Sequence, residues 1–337
     1  MHSRALRIRL DKFIGTVRLP SQFSAKRWLR EMPQSKRTVF WIAALLQGFA
    51  LYYLWSRTVV WPPRWSAESL LPLIAFLMYL TGAGLINRML TSEFVRKTQL
   101  EYDQIAARQI QQTLTPAQID PSPGYEVESF YKPLREVGGD YFDVIELGGA
   151  RSLFAVADVA GKGMPAALLA ANIQALVRSI ANFDANPLAL ARQINRHLSR
   201  YAPSERFATA VFIVLSRDTG ELTYVNAGHD APILYGAGSA TALEATGMPL
   251  GLFPEAEFEV RTALLSPGGS LLVFTDGFTD SIPGENAKDR LRDVLARSSG
   301  RTMLNLKSLV DPHFNEDDVT ILLVKRDADS ASQNRGA

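Results

Sequence analysis

Aspartates recur beside turn residues, at the ends of strand-like runs, in the C-terminal two thirds of the sequence. The set is Asp140, Asp158, Asp276, Asp317 and Asp318. Carboxylates at strand ends can meet at one edge of a layered protein, and hard divalent cations such as Mg²⁺ and Mn²⁺ prefer oxygen ligands. The pattern therefore predicts two ions that share a carboxylate, acidify a bound water and stabilise a phosphoryl oxygen. Glycines beside Asp140 and Asp158 would let the backbone approach such ions closely.

Several polar residues near these aspartates in the sequence could serve either the site or the structure. Side chains alternate along a strand, so Asp143 is expected to face away from Asp140, and only one of Asp317 and Asp318 can point into the site. The histidine in NAGHD, His229, is expected to make structural hydrogen bonds rather than to carry a proton. Lys162 could contact a phosphate or merely solvate the turn before a helix.

Composition excludes several other chemistries. The 337 residues contain no cysteine, so disulfides, thiolate zinc sites and cysteine nucleophiles are impossible. The four histidines are scattered along the chain, which leaves metal binding to carboxylates. With 47% hydrophobic residues, the chain can bury the core of one large domain beside an accessory region.

The N-terminal part has the pattern of a membrane anchor. Residues 1–38 carry ten Lys or Arg against two acidic residues, a net +8 that leaves −6 on the rest of the chain. Residues 39–55 and 69–87 contain no charged residue and approach the ~20 apolar residues that span a bilayer. Two buried core helices or a signal peptide are the alternatives. The basic flanks place both chain ends in the cytoplasm.

The remaining pattern predicts an α+β fold. After a proline-rich break, short strands alternate with helical stretches in the order strands, helices, strands, helices and a last strand, which indicates a layered sandwich. A helix before the break could dimerise or pack on its own domain. The predicted division is a basic cytoplasmic segment (1–38), two transmembrane helices with a short external loop (39–88), a linker helix (89–116), the main domain (117–326) and a disordered tail (327–337).

Eight motifs, in order, resemble a known family. They are IQQTLTP, GYEVESFYKPLREVGGDYFDV, FAVADVAGKGMPAALLAA, RFATAVF, YVNAGHDAPIL, GMPLGL, LVFTDGFTD and EDDVTILLV. Together they look like the metal-dependent Ser/Thr phosphatases of the PPM superfamily, in the bacterial branch of sporulation stage II protein E and the sigma-B regulatory phosphatases. The resemblance covers roughly residues 104–326 and does not include the apolar hairpin.

This resemblance implies an α-β-β-α sandwich with two Mn²⁺ or Mg²⁺ ions. Motif matching implies that Asp140 bridges the ions, that Asp158 and the Val159 carbonyl hold one of them, and that Asp276 and Asp317 hold the other. It implies attack of metal-activated water on phosphoserine or phosphothreonine, without a phosphoenzyme. Eukaryotic type 2C relatives have Asp-Gly-His where this chain has Asp-Val-Ala, so the general acid is unidentified.

The resemblance also implies a partner and a location. Members of this branch dephosphorylate a small anti-anti-sigma protein of the STAS fold, and the anchor would place this chain in the bacterial cytoplasmic (inner) membrane as a multi-pass protein that could form a homodimer. A catalytically silent partner-binding module is the alternative. A two-metal nuclease is disfavoured, and no nucleic acid is expected, because a net charge of −6 beyond residue 38 repels a phosphate backbone.

Overall fold

The computed structural model describes residues 34–56, 70–114, 124–203, 205–284, 286–297, 301–311, 313–314 and 316–328. Most of the predicted basic segment and of the predicted disordered tail lies outside these residues. The chain divides into two compact units, Met1–Leu100 and Glu101–Ala337.

The first unit is helical where it is described. Helix α1 covers Gln34–Trp55, and helix α2 covers Leu70–Leu114 and continues into the second unit. The second predicted span and the predicted linker helix are thus parts of one continuous helix, because the sequence between residues 84 and 116 contains neither glycine nor proline.

Two helices among the described residues have the length and composition of a membrane span. They are Ile74–Ser92, within α2, and Met164–Ala181. The second is a core helix of the other unit, since 44% of its window is buried, against 11% for Ile74–Ser92. Membrane insertion of residues 39–55 and 69–87 stays a prediction.

The second unit contains ten strands and five helices besides the end of α2, counted over the residues that the structure describes. The strands are β1 Tyr125–Lys132, β2 Tyr141–Leu147, β3 Arg151–Val159, β4 Ala208–Ser216, β5 Glu221–Ala227, β6 Ile233–Gly236, β7 Ser239–Ala242, β8 Arg261–Leu264, β9 Ser270–Phe274 and β10 Val319–Arg326. The helices are α3 Met164–Ala181, α4 Pro187–Tyr201, α5 Asp276–Asp280, α6 Ala287–Ala296 and α7 Thr302–Ser308.

These strands form two antiparallel sheets. The first has the order β1-β10-β9-β6-β7 and the second the order β2-β3-β4-β5-β8. Alternation along β3 shows how they pack: Leu153, Ala155 and Ala157 belong to a core shared with α3 and α4, whereas Phe154 and Val156 belong to a core between the sheets. A third core joins β9 and β10 to α5, α6 and α7. The predicted α-β-β-α sandwich is confirmed.

Candidate metal centre

Asp140 is buried just before β2, a strand of the second sheet. Two threonines from the first sheet hold its side chain, one directly after β9 and one in β10. Its Oδ2 accepts hydrogen bonds from the hydroxyl of Thr275, at 2.8 Å, and from that of Thr320, at 2.5 Å. Burial, followed by the charge of Asp158, raises the pKa of Asp140 well above its usual range. Strands of the first sheet therefore orient a carboxylate that the second sheet carries.

The predicted aspartates lie around Asp158, which interacts with Asp140 as well as with the other two. Asp158 is the penultimate residue of β3, and burial, then the charges of Asp276 and Asp317, raise its pKa to about 7. Asp276 opens the short helix α5, and its pKa is raised by burial and then by Asp317. Each of the four thus lies within electrostatic reach of at least one other, so the fold brings the predicted set together.

Close packing explains the glycine before Asp140. A Cβ on Gly139 would lie 3.1 Å from the carbonyl oxygen of Val159 and 3.2 Å from the Cβ of Ala166. A side chain would therefore push the loop away from β3 and from the start of α3. The Val159 carbonyl consequently lies beside the loop that carries Asp140, as its predicted role requires.

Lys162 neutralises part of the carboxylate charge at the edge of the site. Its ammonium lies 2.8 Å from Oδ2 of Asp317 and donates a 2.5 Å hydrogen bond to the carbonyl of Glu316. Both charged side chains of the ion pair are more than a third exposed, so the pair contributes little to stability. A cation at Asp317 would compete with Lys162 for the same oxygen.

Asp318 has a role that the sequence did not reveal. Its Oδ1 accepts a 2.7 Å hydrogen bond from the backbone N–H of Leu134, and its Oδ2 accepts a 2.6 Å bond from that of Gly139. Asp317 and Asp318 also precede β10, which begins at Val319, so strand alternation does not by itself separate them. Asp318 fastens the loop that carries Asp140.

Asp143 and His229 have structural partners. Asp143, which is fully buried, accepts hydrogen bonds from Nε and Nη2 of Arg178 at 2.7 and 2.9 Å, which ties α3 to β2. The Nδ1 of His229 lies 2.9 Å from the hydroxyl of Thr209, and burial lowers the pKa of His229 to about 4. This imidazole is therefore neutral near pH 7. Asp143 has the structural role that the sequence predicted, whereas His229 also lines the cavity beside Asp158 and Asp276, and its purely structural role stays a prediction.

The donor set fits hard divalent cations. Four carboxylates and one main-chain carbonyl offer only oxygen, which suits Mg²⁺ and Mn²⁺ better than Zn²⁺. Among the described residues, no three acidic, histidine or cysteine side chains form a single cluster around one ion. Mg²⁺ typically takes one or two carboxylates and completes its shell with water. Which of these carboxylates hold an ion stays a prediction.

A cavity of about 360 Å³ opens beside the aspartates. Asp158 and Asp276 form one part of its wall, and Thr209 and Lys288 form another. The ammonium of Lys288 lies 3.0 Å from Asp230, which also lines the cavity. The cavity gives solvent and ligands access to the predicted metal ligands.

The raised pKa of Asp158 predicts how pH affects the metal-free protein. Because the folded-state pKa, about 7, exceeds that of an unfolded aspartate, the stability that Asp158 contributes is fully present at low pH and is lost as pH rises through about 7. We expect the Tm in chelator to fall between pH 6 and pH 8, and to fall less in Asp158→Asn. A Tm that rises over this range in wild type but not in the variant would contradict the prediction.

The fold is that of the PP2C-type phosphatase domains. The chain belongs to the SpoIIE family, because the family model described as Stage II sporulation protein E (SpoIIE) matches residues 148–327, more than half of its length. Asp158, Asp276 and Asp317 lie within the match, and Asp140 lies just before it.

Individual proteins of known name or structure are also similar to this chain. The chain is 26% identical over 209 residues to the phosphoserine phosphatase RsbP of Bacillus subtilis, which covers 59% of this chain and 52% of RsbP. It thus spans about half the length of that relative. It is 29% identical, with a TM-score of 0.55, to the RsbU and RsbW domains of a Mycobacterium tuberculosis protein, over 61% of each chain. The structure of RsbX in complex with magnesium shares the fold, with 21% identity and a TM-score of 0.52, over 62% of this chain and 98% of RsbX.

Proposed function

We propose that this chain is a membrane-anchored, metal-dependent phosphatase that hydrolyses phosphoserine or phosphothreonine in a protein. The observation that carries the proposal is the convergence of four aspartates from separate segments at one end of a PPM-type sandwich. Burial and repulsion between carboxylates raise the pKa values of Asp140, Asp158 and Asp276 and so make their charged forms unfavourable without a cation, which suits cation binding.

The proposed ligands divide between two ions of Mn²⁺ or Mg²⁺. Asp140 would contribute to both ions, Asp158 and the Val159 carbonyl would hold one, and Asp276 and Asp317 would hold the other. Such ions stabilise negative charge on a phosphoryl group and acidify water at neutral pH. The magnesium complex of RsbX supports this choice of metal.

The chain's own residues would orient the site. The hydroxyls of Thr275 and Thr320 fix Asp140, and the backbone bonds to Asp318 fix the preceding loop. Burial lowers the pKa of His229 to about 4, so an imidazolium at this position is not the proposed proton source for the leaving serine or threonine oxygen. Water from the adjacent cavity is the proposed proton source for that oxygen.

We further propose a phosphorylated STAS-type anti-anti-sigma protein as the substrate. The naming of RsbP as a phosphoserine phosphatase supports a phosphoserine substrate. The motif resemblance to the sigma-B regulatory phosphatases supports the STAS class.

The test uses the full-length protein with Mn²⁺ and phosphorylated STAS proteins from the same genome. We expect phosphate release from one of them by wild type, and release slower by orders of magnitude by Asp317→Asn. A protein that binds a phosphorylated STAS partner with Mn²⁺ present but releases no phosphate would instead be a silent binding module.

The anchor makes a prediction of its own. If residues 39–55 and 69–87 both insert, the protein should stay in the membrane fraction after a carbonate wash, because two apolar helices hold it by hydrophobic burial. A reporter fused after Ala337 should behave as cytoplasmic. Recovery in the soluble fraction would refute the anchor and leave the phosphatase proposal untouched.

A further inference from the structure

The end of α2 contacts the loop that carries Asp140 through one amide side chain. The Nε2 of Gln111 donates a 2.7 Å hydrogen bond to the carbonyl of Gly138, and its Oε1 accepts a 3.1 Å bond from the N–H of the same residue. Glu101–Ala337 includes both residues, so this contact lies within one compact unit. Two bonds to one residue fix both the position and the rotation of its backbone.

The opposite side of the loop is held just as closely. Asp318 accepts the N–H of Gly139, the next residue along the chain. A Cβ on Gly138 would lie 2.3 Å from the Tyr131 hydroxyl and 2.6 Å from Oδ2 of Asp318. The two residues before Asp140 are therefore fixed between Gln111 and Asp318, with no space for a side chain at Gly138.

The nearby ion pair does not provide the same constraint. Arg108 lies 3.0 Å from Glu136, but both side chains are about half exposed, and such pairs contribute little. Gln111 is half-buried and binds backbone atoms, which cannot move without moving the loop. The amide of Gln111 is thus the contact of α2 that controls the loop geometry.

We propose that Gln111 is a positioning residue for metal binding, acting through Gly138 on the carboxylate of Asp140. This inference rests on the proposed function of Asp140 as a shared ligand. Metal ligands depend on partners that orient them, and loss of one such partner typically weakens metal affinity 10–100-fold. Helix α2, which precedes the sandwich, would therefore help to position a metal ligand.

The experiment compares full-length Gln111→Ala and Gln111→Met with Gln112→Ala. Gln112 is the next residue of the same helix, has the same side chain and is exposed, so its variant is a matched control. The methionine variant keeps the length and packing of the side chain but removes both hydrogen bonds. The measurements are amide hydrogen exchange of residues 134–140 in chelator, the calorimetric Kd for Mn²⁺, and Tm.

We expect both Gln111 variants to exchange faster at residues 134–140 and to bind Mn²⁺ about tenfold more weakly, with Tm close to that of Gln112→Ala. If wild type binds Mn²⁺ but the Gln111 variants match Gln112→Ala in exchange and in Mn²⁺ affinity, the role of Gln111 is overturned and the proposed function is not. Wild-type behaviour of Gln111→Met would overturn it too, because packing would then suffice. A wild type that binds no Mn²⁺ would overturn the proposed function itself.

Discussion

Replacing Asp140 with Asn is expected to lower phosphatase turnover more than about a hundredfold. Loss of a residue that only orients a metal ligand typically costs 10–100-fold, and loss of a ligand should cost more. Asparagine has the same shape and keeps an oxygen that can accept from Thr275 and Thr320, so the fold should survive. The pKa of Asp140 is raised well above its usual range, which means that the metal-free fold favours the uncharged form. The Tm in chelator should therefore rise in Asp140→Asn while turnover collapses.

Asp143→Asn, three residues further along the chain in β2, is the matched control with the opposite expectation. The substitution weakens the two hydrogen bonds between Arg178 and the fully buried Asp143, and hydrogen bonds to a charged group are worth about 1.5–3 kcal/mol. Because the Arg178 side chain is 54% exposed, water replaces part of that loss, and we expect about 1 kcal/mol of destabilisation. Mn²⁺ affinity should stay unchanged. A large loss of Mn²⁺ affinity in Asp143→Asn, or a stable and fully active Asp140→Asn, would reverse the assignment.

Asp317→Asn is expected to lower turnover by orders of magnitude, with partial recovery at high Mn²⁺. The substitution removes a charged ligand from the ion that Asp276 would share, so excess metal can restore occupancy by mass action. Turnover measured against Mn²⁺ concentration, with a phosphorylated protein as substrate, gives both the loss and the recovery.

Asp318→Asn should keep turnover within about tenfold at saturating Mn²⁺, a cost near 1.4 kcal/mol in the barrier. One amide oxygen can still accept from Leu134 or Gly139, while the amide nitrogen faces the other N–H and loses that bond. Equal losses in the Asp317 and Asp318 variants would show that the assignment of Asp317 alone as a ligand is wrong, and the reverse order would favour Asp318 as the ligand.

Periodicity and turn residues predicted most of the fold. The run PLALARQINRHLSRY has the apolar spacing of a helix and forms α4, and YFDVIEL has the composition of a strand and forms β2. The four-residue strand β7, with the sequence SATA, was missed because it has no large apolar side chain and forms by pairing with β6. Its existence depends on tertiary pairing, which local sequence does not record.

The aspartates of the site were predictable because each stands beside a turn residue at a strand end. The contacts that position them were not predictable by the same means. Gln111 acts on a backbone 27 residues away, and Asp318 on one 179 residues away, through hydrogen bonds that any polar side chain could make. Only the folded chain shows which glutamine of the pair at 111 and 112 faces the loop. The paired glycines before Asp140 were the one local sign that the loop is tightly enclosed.

The most direct test of the central claim is phosphate release from a phosphorylated STAS protein during a Mn²⁺ titration of the chelator-treated, full-length protein, with bound Mn²⁺ counted in the same samples. We predict no release in excess chelator, restoration by Mn²⁺ or Mg²⁺ but poorly by Zn²⁺, and two Mn²⁺ per chain at saturation. Full turnover in excess chelator, with no Mn²⁺ bound, would contradict the account.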